Sequence, residues 1–188
     1  MTILVAGASG FIGRRVSLAL ARRAHTVLAI RYSQPPPVDY PTHLRWLRGD
    51  LRDQTFIQSF AGQVQAVIYC ASRPTELRSE RDRAAARLDG VKVVSDGLLS
   101  IPFFYCSSQK VVTEPASPYS DLQRQCEAIV AHRTPPGTIR RLPKLYGPGR
   151  QSYLKAVHWL FPHHLLHVDQ ATEEIMVWVR ELAGSASV

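Results

Sequence analysis

Three glycines near the start of the chain, Gly7, Gly10 and Gly13, have the spacing of a loop that holds a pyrophosphate. In such a loop the first glycine permits a sharp exit from a strand. The second lets the backbone approach a phosphate with no Cβ in the way, and the third lets a helix lie close to the sheet. The N–H groups of the first helical turn then meet the phosphates. This chemistry requires a strand before the glycines and a helix after them.

The residues around the glycines have the patterns of those two elements. The run from Thr2 to Ala6 is apolar and partly β-branched, which predicts a buried strand, and residues 14–23 carry apolar side chains at helical intervals. A strand, a glycine turn and a helix in this order indicate a dinucleotide site, against the alternative of a glycine-rich turn with no ligand. The predicted cofactor-binding residues of this segment are Gly7, Ser9, Gly10, Phe11, Ile12, Gly13 and Arg14.

The end of the second predicted strand, Thr26 to Ile30, indicates which dinucleotide binds. Arg31 follows this strand, 18 residues after Gly13, and no Asp or Glu stands there. An acidic residue near this point binds the ribose 2′-hydroxyl of NAD, whereas an arginine favours the 2′-phosphate of NADP. We therefore predict NADP, with NAD as the possible alternative. A second alternative is that the arginines here are only surface charges.

Further strands and helices alternate along the chain, and some of their ends carry candidate ligands. Asp50, after the third strand, is expected to accept from the adenine amino group beside Leu51, whereas Asp53 is expected to cap a helix. Ala71 and Ser72, after the fourth strand, are expected to pass under the cofactor. The predicted strands are 44–47, 65–71, 103–106 and 138–142, and the predicted helices include 55–61, 118–132, 152–161 and 173–182.

The alternation of six strands with helices predicts an α/β protein with a Rossmann-like, doubly wound parallel sheet. Two segments are expected to lie apart from its core. Residues 76–87 hold seven charges, so the start of their helix is expected to be largely solvated. The segment Pro143 to Arg150 is rich in turn residues and is expected to leave the sheet.

Composition excludes several other classes of protein. A hydrophobic content of 45% and a charged content of 20% over 188 residues are typical of a soluble globular domain. No membrane span or secretory leader is evident, so we expect a cytoplasmic protein with no membrane partner. The net charge of +8 comes from scattered arginines rather than a basic stripe, so no nucleic-acid partner is predicted. In the run His163, His164 and His167, a helix would place the first and last on one face as metal ligands, but Pro162 precedes them and no acidic or cysteine third ligand is near, so no metal site is predicted.

Seven segments, taken in order, resemble the extended short-chain dehydrogenase/reductase superfamily. The resemblance is to its NAD-dependent epimerase/dehydratase and sugar-nucleotide ketoreductase branch. The segments are GASGFIG (7–13), GDLRD (49–53), AVIYCAS (66–72), FFYCSS (103–108), SPYSDLQ (117–123), RLPKLYGPG (141–149) and LHVDQAT (166–172).

The resemblance implies a catalytic role for two residues. Ser108 matches the serine or threonine that hydrogen-bonds the substrate oxygen, and Tyr119 matches the tyrosine that exchanges a proton with that oxygen during hydride transfer. Pro143 and Leu145 match the segment that frames the nicotinamide. The implied function is an NADP-dependent oxidoreductase that reduces a carbonyl of a small molecule, a keto-sugar or a natural-product intermediate.

One departure from the family's motif is chemical. The family has a lysine four residues after the tyrosine, where it binds the nicotinamide ribose and favours the ionised tyrosine, and this chain has Gln123. Gln123 can hydrogen-bond a ribose hydroxyl but brings no positive charge. If redox chemistry is retained, reduction is therefore the expected direction. The alternative is a redox-silent relative that catalyses a cyclisation, dehydration or isomerisation, or that serves as a dinucleotide-binding accessory module.

The other departure is length. Only 38 residues follow Arg150, whereas the family has a longer substrate lobe. We therefore expect one nucleotide-binding domain over residues 1–188, in which 151–188 are the remnant of a much reduced C-terminal lobe. Such a lobe would leave the cleft open unless a second copy of the chain or another partner covers it.

Overall fold

The computed structural model describes residues 1–34, 39–71, 79–150 and 165–185. The strands in these ranges are β1 (Thr2–Ala6), β2 (Thr26–Arg31), β3 (Leu44–Arg48), β4 (Ala66–Tyr69), β5 (Phe103–Ser108), β6 (Thr138–Leu142), β7 (Lys144–Tyr146) and β8 (Leu165–His167). The helices are α1 (Phe11–Arg22), α2 (Gln54–Gln58), α3 (Glu80–Gly97), α4 (Lys110–Thr113), α5 (Pro118–Ala131) and α6 (Val168–Ser185).

The first six strands form one parallel sheet in the order β3-β2-β1-β4-β5-β6. Strand β1 pairs with both β2 and β4, so that Ala6 lies opposite Ile30 on one side and Tyr69 on the other. The strand order reverses at β1. In open α/β sheets the crevice beyond the carboxyl ends of the strands at this point is where ligands bind. The predicted Rossmann-like doubly wound sheet is confirmed.

Helices cover both faces of this sheet, as expected for parallel strands that are apolar throughout. One face packs against α1 and α6, and the other packs against α2, α3 and α5. The fully buried side chains include Ile3, Val16 and Ile175 on the first face and Leu4, Val91 and Val130 on the second. None of the helices in the described ranges has an apolar stretch long enough to cross a bilayer.

Two short strands lie where the sequence predicts only a connection. Strand β7, inside the turn-rich segment after β6, pairs in parallel with β8 and places Leu145 opposite Leu166. Burial of Leu145 and Leu165 stabilises this pair. Strands of three residues that pair with a distant segment leave no alternating pattern in the sequence, because their preference is set by tertiary packing. The helix predicted over residues 152–161 lies outside the described residues.

Glu127 of α5 joins the ends of β5 and β6. Its carboxylate accepts hydrogen bonds from Arg141 Nε and Nη2, at 2.9 and 2.7 Å, and from Ser107 Oγ at 2.5 Å. Burial acts to raise the pKa of Glu127, but the hydrogen bonds from Arg141 and Ser107 outweigh it, so the pKa lies below its usual value. The ionised carboxylate therefore stabilises the fold above the unfolded pKa of about 4.3. This contribution is lost as the pH falls through the lower folded-state pKa.

We expect Glu127→Gln to lower the free energy of unfolding near pH 7 by about 1 to 3 kcal/mol, because its hydrogen bonds lose their charge. The difference from the unaltered protein should shrink near pH 3, where the wild-type carboxylate is increasingly protonated. Urea unfolding at both pH values measures it. Glu114→Gln, which removes an exposed ion pair with Lys110, is the control and should change stability by less than about 1 kcal/mol. An equal loss for Glu127→Gln at both pH values would contradict the electrostatic account.

Candidate functional site

A cleft of about 370 Å³ opens at the carboxyl ends of β1 to β4, beside the first turn of α1. This volume lies within the range of small-molecule sites. The predicted cofactor residues that line it are Gly7, Ser9, Gly10, Phe11, Ile12, Arg31, Asp50, Leu51, Ala71 and Leu145. Arg14 is exposed on α1 outside the lining, Pro143 is half-buried outside it, and Ser72 lies outside the described residues.

Gly7 and Gly13 allow neighbouring backbone segments to pack closely beside this cleft. Gly7 has a φ of +79°, a left-handed conformation that other residues rarely adopt, and a Cβ there would overlap the backbone of Ala71. A Cβ at Gly13 would overlap the carbonyl oxygen of Gly7. Gly13 therefore acts by letting α1 lie against the loop, as its spacing predicts, and does not line the cleft.

The N-terminus of α1 opens onto the cleft without a side-chain cap. Gly10 is the N-cap residue and makes no side-chain hydrogen bond, and the first turn holds no acidic residue. By contrast, Asp53, Ser79 and Ser117 cap α2, α3 and α5 with their side chains. An uncapped helix start carries partial positive charge and N–H donors, which together suit a phosphate.

The guanidinium of Arg31 stands at the end of β2, on the wall of the cleft. Its Nη1 donates to the carbonyl of Gln34 at 3.2 Å, while its Nε is buried and has no hydrogen-bond partner. The residues from Arg31 to Gln34 include no carboxylate. A buried donor without a partner is costly, and an anionic ligand at this wall would satisfy it.

Asp50 lies on the same wall, but its carboxylate is already engaged. Arg52 donates from Nε to both oxygens, at 3.0 and 3.2 Å, and from Nη2 at 2.6 Å. The side-chain hydrogen bond from Arg52 lowers the pKa of Asp50 and outweighs the opposing effect of partial burial. Any contact between Asp50 and an adenine amino group would therefore share the carboxylate with Arg52, a residue that the sequence analysis does not assign to the site.

The three predicted catalytic residues lie beyond the lining of the cleft. Ser108 is half-buried at the end of β5, where its Oγ accepts a hydrogen bond from the backbone N–H of Lys110 at 3.3 Å. Tyr119 is half-buried in the first turn of α5, and Gln123 is fully buried one turn later. Gln123 Nε2 donates to Tyr119 Oη at 2.8 Å. The structure therefore brings Tyr119 and Gln123 together.

Arg87 of α3 connects the cleft with this pair. It lines the cleft, is only 5% exposed, and donates from Nη2 to Gln123 Oε1 at 3.3 Å and to Tyr105 Oη at 3.2 Å. The start of α3 is largely exposed, at Arg81, Asp82 and Ala85, as expected, whereas Arg87 at the end of the charged stretch is buried. Arg87 precedes Val91 and Val94 at intervals of four and seven residues, so it lies on the apolar face of α3. That spacing was a signal in the sequence.

A third arginine absent from the predicted site residues, Arg150, lines the cleft with Arg52 and Arg87. Its guanidinium lies 5.1 Å from the centre of the Phe11 ring, and Arg15 lies 4.5 Å from the same centre. Arg150 Nη1 also donates to the carbonyl of Leu145 at 3.2 Å. The mouth of the cleft is therefore rich in positive charge. Nothing in the local sequence pairs Phe11 with Arg150, because the contact is tertiary.

Of the three histidines with metal-ligand spacing, only His167 lies within the described residues, and it does not line the cleft. His163 and His164 lie outside the described residues. His167, in β8, packs its ring edge-on against Tyr146, with centroids 5.0 Å apart. Among the described residues there is no group of three potential metal ligands.

Comparison with known proteins identifies the family of the chain. A family model described as the NAD dependent epimerase/dehydratase family matches residues 3–183. A dTDP-4-dehydro-6-deoxy-D-allose reductase from a Streptomyces species is 27% identical over 127 residues. This match covers 63% of the present chain and 39% of the reductase, so the chain spans well under half of that relative.

Solved structures share the fold at lower identity. The tunicamycin-biosynthesis enzyme TunA, described as an NAD-dependent NDP-hexosamine 5,6-dehydratase, superposes with a TM-score of 0.73 at 17% identity. That alignment covers 95% of this chain and 71% of TunA. The Bordetella bronchiseptica enzyme WbmH, solved with NAD⁺, gives a TM-score of 0.75 at 15% identity, over 97% of this chain and 72% of WbmH.

Proposed function

The chain belongs to the NAD dependent epimerase/dehydratase family, and from this premise we propose that it is an NADP-dependent oxidoreductase. Its proposed reaction is the reduction of a carbonyl group in a keto-sugar or a related natural-product intermediate. The cofactor assignment rests on one observation, that two groups suited to binding phosphate lie on the same cleft. The start of α1 lacks a side-chain cap, and the buried Arg31 Nε lacks a partner.

The residues of the cleft fit a pyridine dinucleotide. The loop from Gly7 to Gly10 lines the cleft, where a Cβ at Gly7 would collide with the backbone of Ala71, and the uncapped N–H groups of α1 would hold the pyrophosphate. Arg31 would pair with a 2′-phosphate on the adenosine ribose, which a guanidinium binds through charge-assisted hydrogen bonds. When bound, the reduced nicotinamide supplies a hydride.

The protein's own side chains supply the proton and hold the substrate oxygen. Tyr119 Oη donates a proton to the oxygen of the substrate carbonyl, and Ser108 Oγ donates a hydrogen bond to the same oxygen. The Streptomyces relative is a reductase of a nucleotide-linked keto-sugar by its description, which supports a carbonyl of that kind as substrate.

The test of this proposal is loss of NADPH absorbance with a panel of carbonyl compounds. Nucleotide-linked keto-sugars, free keto-sugars and simple ketones are each supplied to the purified protein. Turnover of at least one keto-sugar with NADPH is the expected result. Binding of NADPH without its consumption by any member of the panel would overturn the reductase assignment.

Cofactor preference gives a further prediction. Arg31→Ala should weaken NADPH binding by about 10- to 100-fold, the equivalent of one or two charge-assisted hydrogen bonds, and should leave NADH binding nearly unchanged. Calorimetric titration with each coenzyme measures the ratio. Arg45→Ala, an exposed arginine of β3 outside the cleft, is the matched control. Equal weakening of both coenzymes by Arg31→Ala would contradict the 2′-phosphate contact.

Gln123 favours a second candidate function. An amide stands where the family has a lysine, and an amide gives less support to proton abstraction by Tyr119 during oxidation. A non-redox dehydration or isomerisation, with Tyr119 and Ser108 moving protons, is the alternative. It predicts product formation from a sugar nucleotide with no net change in NADPH, which product analysis separates from reduction.

A further inference from the structure

We propose that Arg87 is a positioning residue that acts through the amide of Gln123 to stabilise negative charge on the oxygen of Tyr119. The contacts run from Arg87 Nη2 to Gln123 Oε1 at 3.3 Å, and from Gln123 Nε2 to Tyr119 Oη at 2.8 Å. This inference rests on the proposed function for its catalytic meaning, because it concerns the residue assigned there as proton donor. The effect of Arg87 on Tyr119 is a property of the protein without substrate and is measured independently of activity.

The chemistry of Arg87 decides the orientation of the Gln123 amide. A guanidinium only donates hydrogen bonds, so the Gln123 atom that faces it must be the acceptor Oε1. Tyr105 Oη donates to the same oxygen at 2.8 Å. The amide NH₂ of Gln123 is thereby directed to Tyr119, whose oxygen accepts from it. A donor aimed at a phenol oxygen stabilises the phenolate more than the phenol.

Burial strengthens the effect of the Arg87 charge on the Gln123 amide and, through it, on Tyr119. Arg87 is 5% exposed, and Gln123 and Tyr105 are fully buried, so little water screens the guanidinium. Its Nη2 donates to the neutral Gln123 and Tyr105, and the thiol of Cys126 also lies beside the guanidinium. Burial raises the pKa of Tyr105 well above its ordinary value, so this phenol stays neutral. No carboxylate among the described residues forms an ion pair with Arg87.

Within the part of the chain that the structure describes, the titratable groups of the elements packed around Tyr119 and Gln123 come from four elements. Arg87 belongs to α3, Tyr105 to β5, and Cys126 to α5, where burial raises the thiol pKa. Lys110 of α4, which packs against α5, is paired with Glu114 at 2.7 Å. Among the cations of these elements, Lys110 and Arg124 are paired with Glu114 and Asp121, whereas Arg87 is buried and has no carboxylate partner among the described residues. Arg87 is therefore a buried positive charge linked to Tyr119 through the Gln123 amide.

This arrangement has a defined place in carbonyl reduction. The carbonyl carbon receives the hydride of the proposed reaction, and the π electrons of the C=O bond move to oxygen, which takes the proton of Tyr119. The electron pair of the broken O–H bond remains on Tyr119 as a phenolate. Gln123 Nε2 donates to this phenolate, and the charge of Arg87 strengthens that donor by polarising the amide.

The first test needs no turnover and follows tyrosinate formation by ultraviolet difference titration. Seven tyrosines absorb, so the signal of Tyr119 is obtained by subtracting the titration of Tyr119→Phe in each background. We expect Arg87→Gln, which keeps hydrogen bonding but removes the charge, to raise the ionisation midpoint of Tyr119 by about one pH unit, or about tenfold in the ionisation constant. Arg87→Lys, which keeps the charge, should move the midpoint by less than half as much.

Tyr105→Phe is the control for a merely structural effect. It removes a hydrogen bond from the same buried cluster without removing charge, and it should leave the midpoint of Tyr119 within about 0.3 unit of the wild-type value. If Arg87→Gln does not fold, Arg87→Met takes its place in the same comparison. An unchanged midpoint in the neutral variant, or an equal shift in Tyr105→Phe, would overturn the inference.

The second test uses the proposed activity. With NADPH and a keto-sugar, Arg87→Gln should lower kcat by about tenfold and move the alkaline fall in rate to higher pH, with Arg87→Lys restoring both. If the wild-type protein reduces no carbonyl, the proposed function fails while the tyrosinate titration still decides the role of Arg87. Reduced kcat with an unmoved pH profile would assign Arg87 a purely structural role.

Discussion

Replacing Tyr119 with phenylalanine is expected to lower kcat for carbonyl reduction by about 10²- to 10⁴-fold, the usual contribution of general acid catalysis. The phenol of Tyr119 is the proposed proton donor, and phenylalanine has no proton to give. The ring still fills the same half-buried place at the start of α5, and Ser117 still caps this helix. Cofactor affinity should therefore change by no more than about twofold.

Steady-state rates and calorimetry on one preparation measure the two quantities together. Tyr40→Phe is the matched control, because Tyr40 is 44% exposed and packs edge-on against Trp46 away from the cleft. It should retain the full rate. A Tyr119→Phe protein that reduces its substrate at the wild-type rate would remove this residue from the mechanism.

The second large effect is expected at Gly7. Gly7→Ala puts a Cβ on a residue with a φ of +79° and drives it into the backbone of Ala71. The left-handed backbone costs about 1 to 2 kcal/mol, and relief of the overlap must separate the ends of β1 and β4. We expect a total loss of about 2 to 4 kcal/mol in the free energy of unfolding and cofactor binding weakened by at least about 100-fold.

Gly62→Ala separates the cost of the left-handed backbone from the cost of the overlap with Ala71. Gly62 has a φ of +77°, nearly that of Gly7, but nothing lies within 4 Å of the position of its Cβ. Its alanine variant should show only the backbone cost of about 1 to 2 kcal/mol and no change in cofactor affinity. Thermal and urea unfolding, followed by coenzyme titration, give the comparison. Equal effects of the two substitutions would show that crowding at Ala71 is unimportant.

The local patterns of the sequence were sufficient to predict the sheet and the glycine turn between β1 and α1. Thr2 to Ala6 is a continuous apolar run, and the glycines after it leave few alternatives to a tight strand-to-helix turn. Asp53 has the position of an N-cap, and in the structure it accepts from the Phe56 N–H at 3.0 Å. These features depend on neighbours in sequence, which is why they could be predicted.

The charge beside Tyr119 depends instead on contacts between distant segments. Gln123 and Arg87 are 36 residues apart, and only the packing of α3 beside α5 brings the cation to the amide. A charged residue in a polar stretch is more often solvated than buried, so the composition of residues 76–87 did not indicate a buried arginine. The pairing of β7 with β8, and the contact of Arg150 with Phe11, were hidden for the same reason.

The most direct test of the cofactor site is calorimetric titration of the unaltered protein with NADPH and NADH, repeated with Gly7→Ala. Saturable binding at one molecule per chain, tighter for NADPH and lost in the variant, is the predicted result. An absence of heat with both coenzymes at millimolar concentration, confirmed by equilibrium dialysis, would contradict the assignment of the Gly7 cleft as a dinucleotide site.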